Sequence, residues 1–250
     1  MVTPFRRHQQ RVRGLISGTI AVKAAPAALA PPTPETPLGQ EYASLRALLH
    51  DNLRTLADVQ SIEARNPMKA EFAKAFAPWI SGVVEAGKNS PAAQDEILIQ
   101  VMIWAIDYRD FDYALDLGEH ALHHHLILPE RFNRTVACFL AEEIATISLD
   151  HADTVDHAQL MRVEAMTSGF DMPDPAKAKL HKAIARSYRR RADAFDPAAD
   201  NAPAGGKASY VAAALESAKR AFELDRNIGV KKDIEQLERQ LKEFSRDDAG

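Results

Sequence analysis

Apolar residues recur every three or four positions along most of this chain, which is the spacing of a helix with one buried face. Between residues 42 and 59, one helix face carries a continuous apolar stripe. Its members are Tyr42, Leu45, Leu48, Leu49, Leu53, Leu56 and Val59. No segment alternates apolar and polar residues with the period of two that a half-buried strand shows. The sequence therefore predicts an all-α fold, built as an array of several helices.

Proline and glycine mark the breaks between helical segments. Five of the 14 prolines fall within residues 24–40, and because proline lacks an amide donor and restricts the residue before it, this stretch predicts an extended linker. Asn66-Pro67 has the form of a helix start, with Asn as the N-cap and Pro in the first turn. A second break, over residues 196–206, contains two prolines and a Gly-Gly pair. The predicted segments are a basic N-terminal arm with a Pro-rich linker (1–40), a helical core domain (41–195), a linker (196–206) and a C-terminal helical hairpin (207–250).

Two short segments are similar in sequence and are typical of paired helices. Ala114 and Ala214 are each followed by a leucine, and a further alanine, Ala121 or Ala221, stands seven residues later. Small residues at this spacing let two helices approach closely, as in helical hairpins of the tetratricopeptide (TPR) kind. The sequence therefore predicts TPR-like hairpins. One function typical of such a fold is that of an adaptor that binds a protein partner without contacting DNA.

The last predicted helix has an apolar seam with steps of four and three residues. Its members are Val230, Ile234, Leu237, Leu241 and Phe244. Such a seam is typical of a coiled coil, but it covers only two heptads. Two interpretations remain open: the seam packs on the preceding helix, or it contacts a second copy of the chain or another partner.

Composition and charge exclude several classes of protein. Cys138 is the single cysteine, which excludes an internal disulfide and any zinc site built from paired cysteines. No apolar run reaches the roughly 18 residues that a membrane-spanning helix needs, so we expect no contact with a membrane. The formal net charge is −4, which is not the charge of a chain that coats nucleic acid along its whole length.

Residues 82–88 match the first seven positions of a phosphate-binding Walker A loop, with glycine at 82 and 87 and lysine at 88. The eighth position is Asn89 rather than the Ser or Thr that ligates magnesium, and the segment continues a helix instead of leaving a strand. The end of a helix with a terminal glycine explains the same residues. No ATPase site is predicted.

An acidic stretch followed by histidines holds weak candidates for a metal site, namely Asp110, Asp112, His120 and His124. The two histidines lie one helical turn apart, as metal ligation requires. A solvated, charged helix face is the alternative interpretation. We find no complete nuclease motif and no motif for a bound cofactor, and the catalytic residues stay unknown. A divalent metal such as Mg²⁺ is expected only if the chain cuts DNA.

Basic residues are concentrated in two places. Residues 1–34 contain no acid, and their arginines are Arg6, Arg7, Arg11 and Arg13. Residues 177–191 also contain no acid, and one side of the predicted helix there carries Lys179, Lys182, Arg186, Arg189 and Arg190. We call the first set the N-terminal arm and the second the basic stripe. Both can neutralise DNA phosphates, although a solubilising surface explains the stripe equally well.

Several segments together resemble the small terminase subunit of temperate contractile-tailed phages that package DNA from cohesive-end sites, the gpM-like family. The matching segments are Thr3-Pro4 with Arg6-Arg7-His8 and Arg11-Val12, Pro78-Trp79-Ile80 with Gly82-Val83-Val84-Glu85, Asp95-Glu96-Ile97-Leu98 with Val101-Met102-Ile103-Trp104, Ala114-Leu115, Glu142-Glu143-Ile144-Ala145, Asp171-Met172-Pro173-Asp174, Lys179-Leu180-His181-Lys182, and Gly229-Val230-Lys231-Lys232 with Ile234-Glu235 and Leu237-Glu238-Arg239. They follow one another over almost the whole chain.

The resemblance implies a role in genome packaging. A small subunit of this family binds double-stranded DNA at the cohesive-end site, acts with a large ATPase subunit in cutting and packaging, and forms a homo-oligomer. It works in the cytoplasm of the bacterial host. The family name also implies endonuclease activity, for which the residues themselves show no catalytic motif.

Overall fold

A computed structural model describes residues 29–196 and 206–247 of the chain. Over these residues the chain forms nine α-helices and no β-strand, which confirms the predicted all-α fold. The helices are α1 (Pro37–Asp58), α2 (Ile62–Gly87), α3 (Glu96–Asp107), α4 (Phe111–His123), α5 (Val136–Asp150), α6 (His157–Thr167), α7 (Asp174–Asp193), α8 (Gly206–Leu224) and α9 (Lys231–Asp247), with a short 3-10 helix at Glu130–Phe132 between α4 and α5. None of these helices is both long enough and apolar enough to cross a membrane.

The helices stack in the order of the chain. Each one packs against the next, and further contacts join helices two positions apart, namely α1 with α3, α2 with α4, α4 with α6 and α5 with α7. Packing limited to helices one or two positions apart in the chain is typical of stacked helical hairpins. Ala114, Ala121, Ala214 and Ala221 are fully buried, as closely packed small residues should be. The TPR-like character of the hairpins stays a prediction.

The central helix is α3, in which every residue from Ile97 to Ile106 is buried. A helix that is apolar all round must be enclosed on all sides. Asp95 caps its first turn by accepting hydrogen bonds from the amides of Ile97 (2.8 Å) and Leu98 (3.0 Å), and it also accepts one from the Trp79 indole (2.7 Å). Burial raises the pKa of the Asp95 carboxyl above its ordinary value. Helix α2 is therefore tied to the start of α3.

Two helices begin earlier than predicted. Helix α1 starts at Pro37, inside the predicted linker, because the Thr36 hydroxyl caps it by accepting a hydrogen bond from the Gly39 amide. Helix α2 starts at Ile62 after the N-cap Ser61, so the predicted start at Asn66-Pro67 is wrong. The Asn66 side chain instead donates to the main-chain oxygen of Asp107 at the end of α3, 2.9 Å away. A tertiary contact thus uses the side chain that resembled a cap.

Helices α8 and α9 form a hairpin that packs directly on α7. The contact between α7 and α8 is the most extensive between any two of the described helices. A second, smaller apolar cluster joins the three helices; its buried members are Ala185, Ala192, Val211, Ala214, Ala218 and Leu237. Most of the linker predicted between α7 and α8, residues 197–205, lies outside the described residues.

Candidate nucleic-acid interface

Helix α7 carries the basic stripe. Its first turn contains Asp174 and Pro175, where a carboxylate and a proline are both favourable. Alanine dominates the buried sides of the helix: Ala176, Ala178, Ala183, Ala185 and Ala192. Because methyl side chains let neighbours come close, α7 is packed against α5, α6 and α8. The long basic side chains extend from what remains of its surface.

The N-terminal end of the stripe borders α5. Lys179 donates a hydrogen bond to the Thr146 hydroxyl, 3.3 Å away. Near the start of α5, Arg134 forms ion pairs with the adjacent residues Glu142 and Glu143, the first at 2.7 Å. These two carboxylates are therefore already paired with a guanidinium.

The middle of the stripe faces the turn between α8 and α9 and the first turn of α9. Lys182 donates to the main-chain oxygen of Ile228 at 2.7 Å. Asp233 lies between two guanidiniums: its oxygens are 3.4 Å from Nη1 of Arg189 and 3.9 Å from Nε of Arg186. Three of the five stripe residues thus have intramolecular partners in this region.

A glycine shapes the turn that Lys182 contacts. Gly229 has a φ of 79°, which a residue with a Cβ adopts only at a cost, and a Cβ there would lie 3.6 Å from Nζ of Lys182. Burial and the nearby Arg186 lower the pKa of Lys182. The turn is therefore held close to the stripe by its contact with Lys182.

The C-terminal end of the stripe has fewer partners. The side chain of Arg190 forms no hydrogen bond or ion pair with any described residue. Its neighbour Arg191 is engaged, because it donates to the Tyr210 hydroxyl at 3.0 Å and lies 5.0 Å from the centre of that ring. Exposed Lys231 and Lys232 begin α9 just before Asp233. They add positive charge to the same neighbourhood.

The other predicted DNA-binding set cannot be placed. Arg6, Arg7, Arg11 and Arg13 of the N-terminal arm lie outside the described residues. The described chain begins at Leu29, whose main chain pairs with that of the loop before α3 through an isolated bridge to Ala93. The first described residue therefore lies beside the loop that joins α2 to α3.

The structure separates the four candidate metal ligands. Asp110 caps α4 by accepting from the Tyr113 amide, and Asp112 accepts from the Gln159 side chain. His120 and His124 lie at the other end of α4, with ring centres 4.5 Å apart. At 1.5 Å per residue, the acids and the histidines are roughly 15 Å apart along the helix. These four weak candidates therefore do not lie together as one metal site, and the described residues contain no group of three or more His, Cys, Asp or Glu that could hold a metal ion.

The histidines instead pack against the Walker-like segment. That segment is the C-terminal end of α2, and the buried Gly87 lies so close to α4 that a Cβ there would be 2.5 Å from Cε1 of His120. Nε2 of His120 is buried without a partner in the described structure. Burial, together with the rings of His124 and His123, lowers the pKa of His120 to about 4. The glycine at 87 is thus explained by helix packing.

The apolar seam of α9 packs inside the chain. Val230 and Leu237 are 1% and 2% exposed, so these two are unavailable to a second copy or a partner, and that part of the prediction is corrected. Ile234, Leu241 and Phe244 are half-buried against α7 and α8. Of the seam residues, only the exposed edges of Ile234, Leu241 and Phe244 can contact another molecule while α9 stays in place.

Comparison with known proteins gives consistent matches. The family model described as phage small terminase subunit matches residues 46–175. The terminase, endonuclease subunit of Escherichia phage P2 is 35% identical over 245 residues, which cover 97% of this chain and 87% of that protein. The probable terminase, endonuclease subunit of Haemophilus phage HP1 (strain HP1c1) is 24% identical over 202 residues, 79% of this chain and 69% of that protein. No solved structure matches the chain significantly.

Proposed function

The chain belongs to the phage small terminase subunit family, and we propose that it binds double-stranded DNA at the cohesive-end site of a phage genome. Its proposed partner is the large ATPase subunit of the terminase, with which it takes part in cutting and packaging the genome. The proposed place of action is the cytoplasm of the bacterial host.

The observation that supports DNA binding is the basic stripe on α7. Four of its cations, Lys179, Lys182, Arg186 and Arg189, follow one side of the helix, and Asp233 is the one described carboxylate that forms an ion pair with them. A row of cations along a helix can neutralise successive phosphates of a duplex. In the proposal the N-terminal arm adds further phosphate contacts.

Salt dependence of binding tests this proposal. For the full chain, the logarithm of the DNA affinity should fall linearly with the logarithm of the salt concentration, with a slope of about −0.9 for each phosphate neutralised. Replacing all four arm arginines with alanine should make the slope shallower by roughly 3 to 4. An unchanged slope would refute the role of the arm, and wild-type protein that does not bind duplex DNA would refute the proposed function.

The chain offers a matched control with the same loss of charge. Arg54, Lys74, Lys88 and Arg220 are exposed cations, each paired with an acid three residues away along the chain. Replacing these four with alanine changes the net charge as much as the arm variant does. The slope should stay at its wild-type value, because none of the four belongs to either basic set.

The names of both relatives favour a second candidate function, cleavage of the DNA. Many nucleases use divalent metal ions, but Asp110, Asp112, His120 and His124 do not fit one metal site, so we assign no cleavage step to them. We propose that cutting needs the large subunit or a site completed by it. A supercoiled plasmid with the cohesive-end site, incubated with Mg²⁺ or Mn²⁺ and this chain alone, should stay intact; site-dependent nicking would establish cleavage by this chain.

Partner contact is proposed for the exposed edge of α9, at Ile234, Leu241 and Phe244. These residues are half-buried rather than fully buried, so an apolar surface of another molecule can cover their exposed area. Measuring the mass of the protein alone, and then with cohesive-end DNA, tests oligomer formation and DNA binding together. A mass equal to one chain under both conditions would contradict both.

A further inference from the structure

The contact between α7 and α9 places one carboxylate between two guanidiniums. Asp233 is placed between Arg186 and Arg189, and its nearest approaches are 3.9 and 3.4 Å. Charge-assisted hydrogen bonds between nitrogen and oxygen are shorter, about 2.7–2.9 Å. The carboxylate therefore partly neutralises the two arginines without being tightly bonded to either.

A carboxylate between two guanidiniums has the chemistry of a bound phosphate. Both groups are anionic and present oxygen acceptors to the same N–H donors. We propose that Asp233 occupies the place of a DNA phosphate on Arg186 and Arg189, so that duplex DNA must displace this carboxylate to use the two arginines. The inference rests on the proposed function, because it describes how the proposed DNA-binding stripe is regulated from within the chain.

The side chains can separate without moving α9. The side chain of Arg186 is 44% exposed, that of Arg189 is 34% exposed and that of Asp233 is 26% exposed, so each has solvent on one side. The helix itself is held by the buried Val230 and Leu237 and by the bond from Lys182 to Ile228. Exchange of the carboxylate for a phosphate thus requires rotation of side chains alone.

The competition gives DNA binding a threshold. A phosphate can bind both arginines only after it has replaced Asp233. DNA that makes few other contacts therefore meets a stripe whose charge is partly neutralised. A duplex that also contacts other cations, such as Lys231 and Lys232, is positioned to complete the exchange. Asp233 therefore reduces binding to DNA that makes few contacts more than binding to DNA that makes many.

Replacement of Asp233 by asparagine tests the competition. Asn has nearly the same shape but no charge, so D233N removes the anion that competes with phosphate for both arginines. With mixed-sequence duplex DNA at about 0.1 M salt, one or two additional phosphate contacts should tighten binding roughly eightfold or more and steepen the salt slope by about 0.9 to 1.8. Circular dichroism and thermal unfolding show that the variant is folded.

The matched control is E235Q on the same helix. The side chain of Glu235 is exposed and forms no hydrogen bond or ion pair with any described residue, so E235Q raises the net charge by the same amount without freeing an arginine. A further variant, D233E, keeps the charge and should bind DNA as the wild type does. The proposal is supported if, of these three variants, D233N alone binds DNA more tightly and with a steeper salt dependence.

The possible results separate the two proposals. Wild-type protein without salt-dependent DNA binding would overturn the proposed function and this inference together. Equal gains for D233N and E235Q would overturn the inference while leaving DNA binding in place. A D233N gain that persists after Arg186 and Arg189 are both changed to glutamine would show that the gain does not pass through these arginines, which also overturns the inference.

Discussion

The two glycines of the Walker-like segment should respond to alanine in opposite directions. Gly87 is buried against α4, and a Cβ there would lie 2.5 Å from Cε1 of His120 and 2.9 Å from Nε2 of His124. Ordinary contacts between carbon atoms are about 3.5–4.0 Å, so two rings must move. Gly82 is exposed on the same helix, and a Cβ there would meet nothing within 4 Å.

These distances set the expected free energies. Overpacking of this kind costs about 1–3 kcal/mol, and replacing glycine by alanine in a helix returns up to about 1 kcal/mol. Gly87→Ala should therefore lower the free energy of unfolding by roughly 1–2 kcal/mol, since the first effect exceeds the second. Gly82→Ala should raise it by up to about 1 kcal/mol, because only the gain in helix propensity applies.

Urea unfolding at equilibrium measures both variants. The midpoints should shift in opposite directions with unchanged slopes, which signals a change in stability rather than in the extent of unfolding. Shortening His120 to alanine in the Gly87→Ala background should remove most of the cost of the added methyl group. If Gly87→Ala is as stable as Gly82→Ala, then α2 and α4 do not approach each other closely enough at Gly87 to exclude a methyl group. If ATP stabilises the wild type and Gly87→Ala abolishes that effect, the packing explanation of Gly87 is wrong.

Two further predictions concern buried polar groups. Asp95→Asn keeps an oxygen for the amides of α3 but turns an N–H toward the Trp79 indole, so the free energy of unfolding should fall by about 1–3 kcal/mol. A double-mutant cycle with Trp79→Phe should show that the losses of the two single variants are not additive. The pKa of His120 is lowered from 6.5 to about 4, so the unfolded chain binds the proton first and stability should fall as the pH drops from 6.5 towards 4. His120 contributes at most about 3 kcal/mol of that fall. In His120→Asn, the free energy of unfolding measured with urea should therefore depend less on pH between about pH 7 and about pH 5. Equal pH dependence in the variant and the wild type would contradict this role of His120.

Local patterns predicted the helices well but not all of their starting points. The apolar period identified α1 and α3 because burial on one or all sides leaves a direct trace in the sequence. Asn66 was misassigned because a cap and a tertiary hydrogen bond use the same side-chain chemistry. Ser61, five residues earlier, is an equally good cap, and only the position of Asp107 shows which residue starts the helix.

The candidate site was predicted in part. The period placed the cations of the stripe on one helix side, but Thr146, Ile228 and Asp233 are more than thirty residues away along the chain, and no local pattern relates them to the stripe. The seam of α9 was visible, whereas its partner was not, since a two-heptad stripe fits its own chain as well as another. The separation of Asp110 from His120 could have been found from the helical rise alone.

Packing between near neighbours in the array also determines how the molecule opens. Because each described helix packs only on those one or two places along the chain, unravelling at one end has no direct route to the other. Melting of α9 uncovers α8 and part of α7 but leaves the enclosure of α3 intact. We therefore expect the amides of α3 to be the slowest to exchange with deuterium, and those of α9 to exchange through brief local openings in molecules that are otherwise native.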